Sequence, residues 1–181
     1  MSPTPAVPRR VRITAEAMDL LRRLRATHGP LLLHQSGGCC DGSAPMCYPA
    51  GDFIIGDRDI LLGVLDLRLT PGELATTAPT PDDQVPVWIS GPQFAAWRHT
   101  QLVLDAVPGR GSGFSLEAPE GLRFLSRARV FDPAELAVLD TATPLTGSEW
   151  SPESAVVDIC TEPQTVMHAV DACPVPTRDR R

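Results

Sequence analysis

The sequence contains no run of 18 or more apolar residues, which rules out a helical membrane span. Positive charge is not in excess either. With 16 basic against 22 acidic residues the net charge is −6, which argues against nucleic acid as the main partner, because phosphate binding needs clustered cations. Met1 to Pro8 lacks the apolar core of a signal peptide, so a cytoplasmic, reducing location is expected. In that setting five cysteines are a poor disulfide framework, and metal binding or redox chemistry is the better reading. A zinc finger is excluded because a second Cys/His pair at short spacing is missing. No Ser-His-Asp or paired-carboxylate arrangement can be recognised from spacing alone. Aromatic residues are scarce at 5%, whereas prolines number 19, so short elements and extended connections are expected instead of long helices.

What is present fits one domain, since 181 residues can bury a single sizeable core. Residues 1–10 read as a disordered lead-in and Val11-Arg12-Ile13 as a short strand. Thr14 is then a good N-cap, with Glu16 in the first turn and Ala17, Leu20, Leu21 and Leu24 at helical spacing until Gly29-Pro30 stops the helix. Arg22, Arg23 and Arg25 read as its solvated face, as do Arg9, Arg10 and Arg12 for their own segment. Leu31-Leu32-Leu33 begins a buried strand, and glycines with Pro45 make 36–51 a loop. Strands are expected at Asp59 to Leu69, Val85 to Ser90, Leu102 to Val107 and Leu122 to Phe131, with an exposed loop over 70–84 and a helical turn at Phe94 to Trp97. Asp132 caps a last short helix, Pro133 to Leu139, before a polar tail. The fold class expected is therefore α+β and mostly β, with a core domain over 11–131 and a weakly ordered segment over 132–181.

Chemistry concentrates between His34 and Tyr48, where Cys39, Cys40 and Cys47 stand among glycines. Thiolates are soft ligands for zinc, copper or iron–sulfur centres, and glycines let the backbone wrap closely around one. Adjacent cysteines diverge in an extended chain, so Cys39 or Cys40 pairs better with Cys47. His34 can add an imidazole, and Asp41 an oxygen. The bland alternative is that these cysteines are small buried hydrophobes. His99, before a core strand, is a weaker ligand or acid–base candidate, and His28 simply meets the helix dipole. Pro108 to Gly113 reads as a tight turn, because no lysine or strand–loop–helix context follows it. Glu117 beside Pro119 is expected at the surface. Cys160, His168 and Cys173 read as incidental tail residues.

Two resemblances follow from these motifs. His34 to Gly42, Pro45 to Pro49, Trp97 to Leu102 and Val107 to Glu117 resemble an uncharacterised bacterial family commonly encoded beside acetaldehyde or other aldehyde dehydrogenases. That resemblance implies an aldehyde dehydrogenase as partner. Ile13-Thr14 with Ala17, Gly37-Gly38-Cys39 and Gly111 to Phe114 with Pro119 are more distantly similar to the HesB-like A-type iron–sulfur carriers. Those are compact, mostly β domains with an N-terminal helix and a sandwich or barrel-like sheet, holding iron or a cluster through three cysteines. The first of the three corresponds to Cys39, but the carriers' later Cys-x-Cys pair is missing near Gly121-Leu122-Arg123-Phe124. The ligand set implied is Cys39, Cys40 and Cys47 with His34 or His99, for zinc, iron or an Fe–S cluster. A metal-binding accessory protein is the first expectation. A thiol protein using Cys39 or Cys40 against oxidants or aldehydes is the second, and a non-catalytic structural partner of the dehydrogenase the third. Homo-oligomerisation is compatible with such a β domain and fixed by nothing in the sequence.

Overall fold

A computed structural model describes residues 8–37, 44–73, 77, 79–111, 113–151 and 166–167. Within these residues the chain is α+β, with three α-helices and two four-stranded mixed sheets. β1 (Val11–Thr14) leads into α1 (Ala15–His28), followed by β2 (Leu31–Gln35), β3 (Met46–Pro49), β4 (Ile60–Asp66) and β5 (Gln84–Ile89). After α2 (Gly91–Trp97) come β6 (Thr100–Pro108), β7 (Leu122–Val130), α3 (Pro133–Leu139) and β8 (Val166–Met167). One sheet has the order β7-β6-β1-β8 and the other β3-β2-β5-β4.

The Thr14 cap forms as its sequence position predicts, and it also ties the helix to the first sheet. Its hydroxyl accepts from Ala17 N at 3.3 Å and donates to buried Asp105 Oδ1 at 2.9 Å. Ala17, Met18, Leu20, Leu21 and Leu24 are buried, and Gly29 ends the helix at φ +80°, a conformation L side chains resist. These side chains share one core with Val11, Ile13, Leu102, Leu104 and Phe124 of the first sheet and Leu31, Leu33, Cys47, Val85 and Val87 of the second. The helical arginines do more than face water. Arg22 donates to the carbonyls of Leu67 and Leu69 at 2.7 and 2.6 Å, and Arg25 bonds Asp82, so they fasten the connection that follows β4.

Several expectations are corrected. Residues 46–49, expected within a loop, form β3 and pair antiparallel with β2, because His34 to Leu31 offers a full ladder to Met46 to Pro49. The strand expected over 59–69 is shorter, ending at Asp66, where Arg68 turns back onto that carboxylate. The helical turn at 94–97 is a two-turn helix beginning at Gly91, with Pro92 in its first turn. α3 carries a complete capping box between Asp132 and Glu135. In the C-terminal stretch, Val166–Met167 adds a parallel strand beside Ile13 and Thr14. Among the described residues no helix is long and apolar enough to cross a membrane.

Strand alternation decides what reaches the candidate site. Paired residues project to the same face, and successive residues to opposite faces. Leu33 pairs with Cys47 and Val87, all members of the shared core. His34 pairs with Met46 and Trp88 and therefore faces the other way. On that outer face Trp88 packs with Leu61 and Val64, under Ile55, Leu145 and an edge-on Trp150 whose ring centroid lies 5.3 Å away.

Candidate functional site

At the end of β2 the sequence His34-Gln35-Ser36 places two polar side chains two residues apart along an extended chain, hence on one side. His34 is buried, with 4% of its surface exposed. Its Nε2 lies 3.0 Å from Asp59 Oδ2, and its Nδ1 lies 2.9 Å from Ser36 Oγ. An ionised carboxylate can only accept, so the arrangement calls for Nε2–H to donate to Asp59 while Nδ1 accepts from the Ser36 hydroxyl. Burial lowers the His34 pKa, and the hydrogen bond and charge of Asp59 oppose that shift. The ring is thus kept neutral at pH 7, with one nitrogen lone pair directed toward the strand exit.

Asp59 reaches the histidine from a tight turn. Its N–H donates to Gly56 O at 2.9 Å, and Gly56 N donates back to Asp59 Oδ2 at 2.8 Å. Two other glycines press on this turn. A Cβ on Gly147 would stand 2.1 Å from Gly56 O, and one on Gly91 would stand 2.5 Å from Arg58 O. Gly147 N also donates to Asp59 O at 2.8 Å. Phe53 covers the imidazole, with ring centroids 4.5 Å apart, and stacks on Tyr48 at 4.7 Å. The pair is therefore dry on one side and rigidly backed on another.

Cys47 belongs to a different neighbourhood. Its thiol is completely buried in the core beneath β3. Its N–H donates to Ser115 Oγ at 2.8 Å, and its carbonyl accepts from Leu116 N at 3.1 Å. Burial, reinforced by the nearby Glu117 charge, pushes the thiol pKa far up, so Cys47 carries no thiolate at neutral pH. Glu117, expected at the surface, is 1% exposed. Its carboxyl accepts from the Ser115 hydroxyl, while Phe124 N approaches it at a long 3.5 Å. Desolvation raises its pKa and these hydrogen bonds only partly offset that. The connection from Gly109 to Gly121 is thereby locked against β3 and β7.

The candidate ligands named from sequence are thus not all brought together. His34 and Cys47 occupy adjacent strands but opposite faces. His99 is exposed in the turn between α2 and β6, where its carbonyl accepts from Phe131 N at 3.1 Å. Cys39, Cys40 and Asp41 lie outside the described residues, as do Cys160, His168 and Cys173. Among the described residues no three of His, Cys, Asp and Glu gather as a metal-binding group. Asp59 is the partner that sequence reasoning missed, 25 residues from His34 with no local signal joining them. Ser36 was legible in principle from its i+2 spacing. No curated protein and no solved structure matches the chain. Residues 20–130, more than half of the chain, match a protein family, and the chain belongs to that family, described as Domain of unknown function (DUF779).

Proposed function

We propose that the protein binds a single metal ion, zinc or iron, through His34 together with a thiolate from Cys39 or Cys40. In this reading it acts as an accessory protein to an aldehyde dehydrogenase. One observation carries the metal reading: His34 is oriented by a carboxylate on one nitrogen, and its other nitrogen meets a neutral hydroxyl, that of Ser36, three residues before Cys39 in the sequence. Histidine ligands of metals usually donate their second N–H to such a carboxylate, which fixes the tautomer and raises the basicity of the ligating atom. The donor set is soft sulfur plus imidazole, which suits zinc and iron. A three-thiolate Fe–S cluster that includes Cys47 does not fit, because that sulfur is protonated and lies on the core face. The dehydrogenase link rests on the sequence resemblance alone.

The test is elemental analysis of protein purified without oxygen, beside a Cys39→Ser/Cys40→Ser double variant. Near-stoichiometric zinc or iron that is lost in the variant supports the reading. Metal-free protein that also takes up none on incubation with Zn²⁺ or Fe²⁺ overturns it and leaves the thiol chemistry of the loop as the next hypothesis.

A further inference from the structure

We infer that Ser36, His34 and Asp59 form a nucleophilic triad in the metal-free protein. Ser36 Oγ is the nucleophile toward carboxylic esters of small apolar acyl groups, His34 its base and Asp59 the positioning residue. This goes beyond the metal-binding reading. An ion on His34 Nδ1 would take the lone pair that the serine proton needs, so the two roles exclude each other at any moment.

The three side chains make one unbroken line of hydrogen bonds. Asp59 Oδ2 lies 3.0 Å from Nε2 and Ser36 Oγ lies 2.9 Å from Nδ1, both within the reach that a nucleophile, its base and the orienting carboxylate need. The base and carboxylate are shielded, their side chains 5% and 15% exposed, while half-buried Ser36 stands at the strand exit beside exposed Gly37. Donors for a developing oxyanion stand next to it. A Cβ on Gly37 would lie 3.5 Å from Ser90 Oγ and 3.7 Å from Gln93 Oε1. Gln93 Oε1 is buried and has no hydrogen-bond partner among the described residues. Packing for stability alone avoids such an idle amide. Turned about its last bond, the amide presents its NH₂ at the same place, and amide and hydroxyl both donate to a negative oxygen. Phe53 over the imidazole, itself stacked on Tyr48, adds an apolar wall that suits an apolar acyl group.

The reaction needs no oxidant or further reactant besides water. Ser36 Oγ attacks the ester carbonyl carbon as its proton passes to His34 Nδ1, and the Nε2–H bond to Asp59 stabilises the imidazolium so formed. The C–O bond to the alcohol then breaks, and the leaving oxygen takes the proton from Nδ1. Water attacks the acyl-serine in turn, giving one proton to Nδ1. That proton returns to Ser36 Oγ as the carboxylic acid departs.

The experiment treats the full chain, stripped of metal with EDTA, with a fluorophosphonate probe read by peptide mass mapping, and follows p-nitrophenyl butyrate hydrolysis. Ser36 should carry the phosphonyl group in the folded protein and not in urea, and hydrolysis should begin with a stoichiometric burst of p-nitrophenolate. Ser36→Ala should lose both signals. Asp59→Asn should lower kcat about 10³- to 10⁴-fold at a nearly unchanged KM. ¹⁵N–¹H correlation spectra of the His34 ring should show a protonated Nε2 and an unprotonated Nδ1. A folded wild type without the Ser36 adduct, hydrolysis that persists in Ser36→Ala, or a ring protonated on Nδ1 overturns the triad. So does a folded Asp59→Asn with full kcat; should that variant fail to fold, Ser36→Ala and the ring spectrum decide alone. Zn²⁺ titration against a chromophoric chelator separates the two readings of His34. Labelled Ser36 in a protein that binds no Zn²⁺ supports the triad and defeats the metal reading, and an inert Ser36 in a protein that binds Zn²⁺ does the reverse.

Discussion

Gly147 ties the stability of the fold to the geometry of the His34 pair, and Gly147→Ala tests that coupling. The added Cβ would stand 2.1 Å from Gly56 O and 2.9 Å from Ile55 Cγ2. Real contacts of this type stay above 3.0 Å, so the two backbone segments must separate by roughly 0.9 Å. Neither atom belongs to a flexible side-chain end that could move aside cheaply. Overpacking of this kind costs about 1–3 kcal/mol. If the full displacement passes to Asp59, its 3.0 Å contact with His34 stretches to about 3.9 Å, outside hydrogen-bond range, at a further cost of about 1 kcal/mol. The total, about 2–4 kcal/mol, corresponds to a Tm lowered by roughly 4–16 °C in a chain of this length. The assay is thermal and urea unfolding beside Gly51→Ala, an exposed glycine whose Cβ would meet nothing within 4 Å. The His34 ring spectrum of the variant should also show a weakened Nε2–H bond. A Gly147→Ala protein as stable as Gly51→Ala, with an unchanged His34 spectrum, would refute the reasoning.

Other consequences are equally direct. In a variant that keeps Cys47 as its sole cysteine, an aromatic disulfide reagent should label the native protein only at the rate of global opening. Labelling at the rate of a free thiol would contradict its burial in the core. Thr14→Ala removes both the helix cap and a donor to buried Asp105, and should cost about 1–3 kcal/mol in urea unfolding; a change below about 0.5 kcal/mol would exclude the dual role. Two groups should shape the pH dependence of stability with opposite signs. His34 has its pKa lowered in the fold, so the unfolded chain binds that proton first, and stability falls as pH drops below the ordinary value near 6.5. Glu117 has its pKa raised, so the folded chain retains that proton longer, and stability falls as pH climbs above the ordinary value near 4.5. His34→Asn should flatten the first slope and Glu117→Gln the second; unchanged slopes would show that other groups dominate.

The parts of the fold legible in the sequence are those set by local rules. Thr14, the apolar positions of α1, Gly29-Pro30 and the Asp132 cap each act within a few residues, and each element stands where those residues put it. β3 was not legible, because Met46-Cys47-Tyr48-Pro49 is short, follows a glycine-rich sequence and gains its strand character only from pairing with β2. The same is true of β8, two residues long and fixed by Ile13 and Thr14. Glu117 misled for a related reason. Beside Pro119 in a polar stretch it has the local composition of a surface residue, and only the approach of Ser115 and Phe124 gives its carboxyl a buried place.

The candidate site shows the same division more sharply. The cysteine-rich stretch drew the candidate ligands from one segment, but composition cannot say which side of a strand a residue takes. Register can, and a pairing of Leu33 with Cys47 sends His34 and Cys47 to opposite faces. Shifting β3 by one residue would have put the thiol beside the imidazole and carried Met46 and Tyr48 toward the core in its place. That alternative would also forfeit the two backbone bonds that Ser115 and Leu116 make with Cys47. The Ser115–Glu117 segment therefore selects the register, and through it decides that Cys47 faces the core while His34 takes the outer face. Ser115→Ala combined with Glu117→Gln loosens that selection without touching His34. If register is what separates the two roles, the double variant should expose Cys47 to a thiol reagent below the denaturant concentration at which the chain unfolds. Labelling that still waits for global unfolding would mean that the β2–β3 ladder and the core around Leu33 hold the register unaided.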